Sequence, residues 1–121
     1  MLEILSERSD VVRVAIWGRY SPADGRAVLD LIERVSKSPI PPRRYYFDLG
    51  RMTSFDLGYA DVVDQAKRTM SLRFPERVVF AIYSHSAVTR GFASVFGKFI
   101  DATKLKLVIS DDPTVLEQQL R

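Results

Sequence analysis

The residues able to do chemistry are few and lie in three places. His85 is the single histidine and sits between Ser84 and Ser86. Asp48 and Asp56 lie in "YYFDLGRMTSFDLGYAD" (Tyr45 to Asp61), one in each of two copies of Phe-Asp-Leu-Gly, with Arg51, Thr53 and Ser54 between them. Lys98 stands in "GFASVFGKF" (Gly91 to Phe99), which has the outline of a phosphate-binding loop.

Each group suggests a reaction. A serine (Ser54, Ser84 or Ser86), His85 and an aspartate could act as nucleophile, general base and orienting acid in hydrolysis. No G-x-S-x-G elbow is present, and scattered loop residues do not supply the required geometry. A polar turn between strand and helix, with Ser86 as cap and His85 half exposed, accounts for the same residues. The two aspartates could hold Mg²⁺ or Ca²⁺, but hard cations need several converging oxygens. Arg51 can neutralise one carboxylate, and the helix dipole explains Asp56 in a first helical turn. The phosphate-loop reading fails on spacing: five residues separate Gly91 from Gly97, no Ser or Thr follows Lys98, and the segment lies inside a helix. Gly91, Ala93, Ser94 and Gly97 read instead as small residues that allow close helix packing, each helical Gly costing about 1 kcal/mol relative to Ala. No cofactor and no metal are expected.

These residues must be placed by alternating elements. "LEILSE" (Leu2 to Glu7) and "VVRVAIWG" (Val11 to Gly18) read as strands, joined at Ser9-Asp10 by a hairpin-like turn that makes the pair antiparallel. Ser21 as N-cap, Pro22 at the first helical position and Asp24 at the capping-box place open a helix. Val28, Leu31, Ile32 and Val35 form its inward stripe, and it ends before Pro39. "RYYFDLG" is a strand closing on Gly50. A second helix should start near Ser54 and turn Tyr59, Val62, Val63, Ala66 and Met70 inward. "RVVFAIYS" (Arg77 to Ser84) has the continuous apolar run of a strand covered on both faces. A third helix begins near Ser86 with Val88, Phe92, Val95, Phe96 and Phe99 at helical spacing. "LKLVIS" (Leu105 to Ser110) is the last strand, and Asp112-Pro113 opens a short terminal helix.

The order β-β-α-β-α-β-α-β-α predicts an α/β fold: one compact domain over 1–121, with a mixed, mostly parallel sheet of about five strands and about four flanking helices. In such sheets ligands bind beyond the carboxyl ends of the strands. Here that edge gathers Gly18 to Tyr20, Asp48 to Gly58, Ser84 to Ser86 and Ser110 to Asp112.

Composition narrows the partners. The chain has 121 residues, a formal charge of +3 and no Cys. Residues 1–60 carry 9 basic and 8 acidic side chains and residues 61–121 carry 9 and 7, so the excess is spread evenly. Nucleic acid, which asks for a clustered basic face, is not expected. No apolar run reaches the ~20 residues of a membrane span, and no signal peptide is read at the start. A cytoplasmic location fits the lack of Cys.

"FDLGRMTSFDLGYADVV" resembles the loop of STAS domains: a strand ending in Asp-Leu-small, an apolar residue four places after that Asp (Met52), then an aromatic-Asp pair leading into a helix. In anti-anti-sigma factors of the SpoIIAA type that loop ends in Asp-Ser-Ser-Gly, and its second serine is the phosphorylation switch. Asp48 and Asp56 match the two aspartates. Leu57-Gly58 stands where the serines would be, and Thr53 and Ser54 precede Asp56, so neither is carried over as the switch. "WGRYSPADGRAVLDLI", "RVVFAIYSHSAVTRGFASVFGKFI" and "LKLVISDDPTVLEQQL" extend the resemblance, by pattern, to a SpoIIAA-like bacterial branch over nearly the whole length.

The resemblance implies a non-enzymatic, cytoplasmic protein-interaction or regulatory module without the phosphorylatable serine. Its expected contact residues are Asp48, Ser54, Asp56, Gly58, Tyr59, Ser84, His85 and Arg90, and its expected partner is a protein, with a homodimer open. The alternative is a binding protein for a small apolar or amphipathic ligand, a role the parallel between this fold and CRAL-TRIO lipid carriers keeps open. Tyr45, Tyr46, Tyr59, Tyr83, Phe92 and Phe96 would then line a cavity rather than fill a core. A hydrolase-type enzyme using His85 is the third reading.

Overall fold

The structure is a computed structural model that describes residues 1–7 and 10–121. Among the described residues the elements are, in order, β1 (Leu2–Glu7), β2 (Val11–Tyr20), α1 (Pro22–Ser36), β3 (Arg44–Phe55), α2 (Tyr59–Ser71), β4 (Val78–Tyr83), α3 (Ala87–Lys98), β5 (Leu105–Ser110) and α4 (Pro113–Gln118). The strands form one sheet in the order β1-β2-β3-β4-β5. β1 pairs antiparallel with β2, and every later pair is parallel. The antiparallel pair is the one expected, although Ser9 of its connecting turn lies outside the described residues.

Three successive crossovers step the same way across the sheet, and their right-handedness puts α1, α2 and α3 on one face. Val28, Leu31, Ile32 and Val35 of α1 and Val62 of α2 pack there on Val12, Val14, Tyr45, Phe47, Val78, Phe80 and Leu105. α4 covers the opposite face near β4 and β5, burying Leu116 and Leu120 against Tyr46 and Ala81. Arg13 of β2 reaches α4 with a two-pronged bond to Glu117 at 2.5 and 2.9 Å, and its guanidinium lies over the Tyr46 ring.

The helix starts follow their local signals. Ser21 Oγ accepts the Asp24 N–H at 3.5 Å and Asp24 Oδ2 accepts the Ser21 N–H at 2.9 Å, a complete capping box ahead of Pro22. Ser86 Oγ caps α3 through the Thr89 N–H, and Asp112 Oδ1 caps α4 through the Thr114 N–H.

The segment after Gly50 departs from expectation. β3 does not close there; it runs on through Phe55, and β2 runs on beside it to Tyr20. The two stay paired through Trp17↔Arg51, Gly18↔Met52, Arg19↔Ser54 and Tyr20↔Phe55, beyond the point where β4 ends opposite Asp48. Gly18, at φ 73°, sits at a register shift in this ribbon, where a side chain would be strained. Gly50 is a strand residue whose hydrogen makes room for Tyr83: an added Cβ would lie 2.9 Å from that ring. The sequence offered a glycine as a terminator, and packing used it as a gap.

α2 consequently begins at Tyr59 rather than near Ser54. Asp56 still extends the ladder, its N–H bonding Tyr20 O at 2.8 Å. Gly58 is the N-cap, and Asp61 at the third helical position accepts the Gly58 N–H at 3.0 Å. Tyr59 does not turn inward; it is 60% exposed. Val88, at helical spacing with Phe92 and Phe96, is 66% exposed, because its neighbour Thr89 takes the buried position of that turn.

Candidate functional site

The carboxyl ends of β2 to β5 lie along one edge, as parallel pairing requires, but the candidate residues there fall into separate groups. Asp48 closes the pairing of β3 with β4, opposite Tyr83, and its Oδ1 accepts the Gly50 N–H at 2.9 Å. Asp56 does not open a helix. It lies two residues before the N-cap and forms an ion pair with Arg19 Nε across the β2–β3 ribbon. Ser54 stands exposed opposite Arg19 in the same ribbon. Arg51 neutralises neither aspartate; its guanidinium lies over the Trp17 ring at 5.6 Å. The aspartates thus answer to different partners and do not converge.

The β4–α3 turn makes the second group. Ser84 is 1% exposed, and its Oγ accepts the Ser86 N–H at 3.1 Å. Its carbonyl oxygen accepts from Arg90 Nη1 at 2.9 Å, so Arg90 braces the turn from inside α3. His85 is exposed rather than half exposed, and Nε2 lies 2.6 Å from the Tyr83 hydroxyl. Among the described residues no serine and no aspartate bonds to His85. The turn contains the residue types of a hydrolytic relay without its hydrogen-bond order.

Tyr59 forms a third group with the residue that closes α3. It packs edge to face on Phe99, ring centres 6.5 Å apart, and Phe99 is itself 37% exposed. Together with Val88 these are large apolar side chains left in water on α2 and α3. Thr89 alone is fully buried in α3. Gly91 does not permit close packing inside the molecule, since an added Cβ would meet nothing within 4 Å; Gly97 does, with Leu107 at 2.9 Å.

Beneath α3 lies an apolar cavity of about 90 Å³. Phe47, Phe80 and Ile82 of the sheet, Val62 of α2, Phe92 and Phe96 of α3, and Phe55 and Leu57 of the ribbon contribute to its wall. Phe55 is held there by stacking between Tyr20 and Phe92. Three of the wall's polar side chains are engaged: Gln65 Nε2 donates to the Tyr20 hydroxyl at 3.2 Å, and Thr69 Oγ1 donates to Gln65 O at 2.8 Å. Burial pushes the Tyr20 hydroxyl up to about 12, so it stays neutral at ordinary pH. Of the six aromatics expected either in a cavity or in a core, Phe92 and Phe96 line the cavity, while Tyr45 and Tyr46 are core.

Val88 and Phe99 are not marked as site residues by the sequence, while Arg19 is placed on the ligand edge and Tyr83 among the cavity aromatics without their partners Asp56 and His85.

No protein-family model matches the chain, and no curated protein matches it. Among solved structures it is similar to an uncharacterized protein of the DUF3478 family with a SpoIIAA-like fold from Shewanella loihica PV-4. That match has a TM-score of 0.60 at 15% identity and covers 100% of this chain and 93% of the other. The chain has a SpoIIAA-like fold, which speaks to architecture and leaves activity to the site. No helix among the described residues is long and apolar enough to cross a membrane.

Proposed function

We propose that this SpoIIAA-like domain is a non-enzymatic protein-interaction module, regulatory in role, whose contact surface is the outer side of α3 with the start of α2. The observation that carries this reading is the uncovered apolar surface of Val88, Tyr59 and Phe99. Val88 and Phe99 end one stripe of α3 whose middle, Phe92 and Val95, packs on the core. Exposed aromatic and aliphatic anchors with polar neighbours are what a partner's pocket recognises. His85 lies three residues before Val88, and the Arg19–Asp56 pair lies beside Tyr59 in sequence; they supply a polar border. Gly91 supports the same reading. It weakens the helix by about 1 kcal/mol relative to Ala, and no intramolecular contact requires it.

A photo-crosslinking side chain at position 88, expressed in the source cell, tests this against a control at the exposed Lys37. The protein captured from position 88 is identified, produced pure and titrated. Val88→Asp and Tyr59→Ala should each weaken binding about tenfold or more with an unchanged thermal midpoint. Equal capture from position 37, or binding indifferent to both substitutions, would sink the reading.

A second reading, a small apolar ligand, is favoured by the cavity. At about 90 Å³ its space suits an apolar group of a few heavy atoms rather than a long acyl chain. Native mass spectrometry of freshly purified protein decides this: a co-purifying mass supports it, and a clean apo mass argues against it.

A further inference from the structure

At the other end of the strands, the carboxyl end of α2 and the approaches to β4 and β5 enclose a groove of about 680 Å³. Met70, Leu72, Phe74 and Pro75 give it an apolar floor. Leu72 and Phe74 are half buried, and Phe74 is fixed edge-on against Phe80. Arg73, Arg77 and Lys104 bring three cations to the same groove.

The acids near them have partners of their own, and Asp101 also interacts with Lys104. Glu76, the single acid lining the groove, is held by Arg43 at 3.0 Å. Asp101 turns to Thr103, accepting its N–H at 2.9 Å and its hydroxyl at 2.6 Å. Near the end of α2, Arg68 O accepts from Ser71 Oγ and Thr69 O from the Leu72 N–H. Arg77 is oriented through Nε, which donates to Ala102 O at 2.9 Å. Arg73 and Lys104 make no salt bridge among the described residues. The backbone around them is tied into the sheet, with the Val78 N–H on Lys104 O at 3.0 Å.

We propose that this groove captures an acidic segment of a protein partner, carboxylates on Arg73, Arg77 and Lys104 and apolar side chains on Leu72 and Phe74. Charge complementarity chooses the sign of the occupant, and the floor chooses its class. Three cations in one groove do not make a track along a nucleic acid. The groove shares no lining residue with the Val88, Tyr59 and Phe99 surface, so this inference rests on different residues from that one.

The test uses a fluorescein-labelled peptide, Glu-Leu-Glu-Glu-Phe-Leu-Glu, and its analogue with Lys for Glu, titrated with the full chain. The acidic peptide should bind and lose affinity as salt rises; the basic analogue should not bind. Replacing both Arg73→Gln and Lys104→Gln should weaken binding about tenfold without moving the thermal midpoint, because both side chains are exposed. Amide shifts should concentrate at 70–77 and 103–104. Absence of binding up to about 1 mM, equal binding by the double variant, equal binding by the basic peptide, or shifts elsewhere would each overturn the proposal. A single-stranded oligonucleotide that displaces the peptide from the groove would overturn it in favour of nucleic acid.

Discussion

The two Phe-Asp-Leu-Gly copies put the same glycine into different surroundings. A Cβ on Gly50 would lie 2.9 Å from the Tyr83 ring and 3.0 Å from Asp48 Oδ1, both fixed by the sheet. On Gly58 the nearest atom would be Asp61 Oδ2 at 3.6 Å, an ordinary contact. Gly50→Ala should therefore destabilise by about 1–3 kcal/mol, and Gly58→Ala by less than about 1 kcal/mol, the scale of a weakened N-cap. Urea midpoints of the two variants check the contrast. Tyr45 gives a second test at this scale. It is fully buried among Phe47 and Phe80, and its hydroxyl has no hydrogen-bond partner among the described residues. Burial with nothing to offset it raises the hydroxyl's pKa. Tyr45→Phe removes an unsatisfied polar group and should be neutral or stabilising by up to about 1 kcal/mol, read from the same urea curves.

At the scale of elements, α3 is the helix whose sequence and packing disagree. Its two glycines separate the causes. Gly97→Ala forces the end of the Leu107 side chain to move, whereas Gly91→Ala enters open space. Gly91→Ala should raise stability by about 0.5–1 kcal/mol, measured by thermal or urea unfolding, while Gly97→Ala should gain less or lose. If α3 carries the contact surface, Gly91→Ala should also reduce partner capture, separating the gain in helix stability from the loss of function. α1 shows the opposite case. Its stripe and capping box agree with its burial.

At the scale of the molecule, α4 is the sole helix on its face among the described residues, and its attachment is partly electrostatic. The hydrogen bonds from Arg13 hold the Glu117 carboxyl below the usual range. At Asp24 burial pushes upward, but the Ser21 bonds outweigh it and the carboxyl is again lowered. A carboxyl lowered in the folded state contributes stability that is present above the unfolded value of about 4. That stability is lost as pH falls through the lower, folded value. Unfolding free energy should therefore decline on acidification below about pH 4, and Glu117→Gln should flatten the decline. At neutral pH the same variant should lose less than about 1 kcal/mol, because Arg13 and Glu117 are 34% and 44% exposed and water screens the pair. Chemical denaturation from pH 7 to pH 3 checks both statements.

By itself the sequence determined the order of the elements, the caps at Ser21, Ser86 and Asp112, and the inward stripe of α1. These are local facts, encoded within a turn or two of chain by side-chain spacing and by hydrogen bonds between near neighbours. The candidate site was legible only as a neighbourhood: the loops beyond the strand ends were correctly placed at one edge, but their partners were not. Arg19 meets Asp56 across 37 residues of sequence, and Tyr83 fills the space left at Gly50. Only tertiary structure decided those matches, and with them the length of β3, the start of α2 at Tyr59 and the exposure of Val88. Each depends on which strand or helix lies alongside, a quantity that no window of local sequence contains.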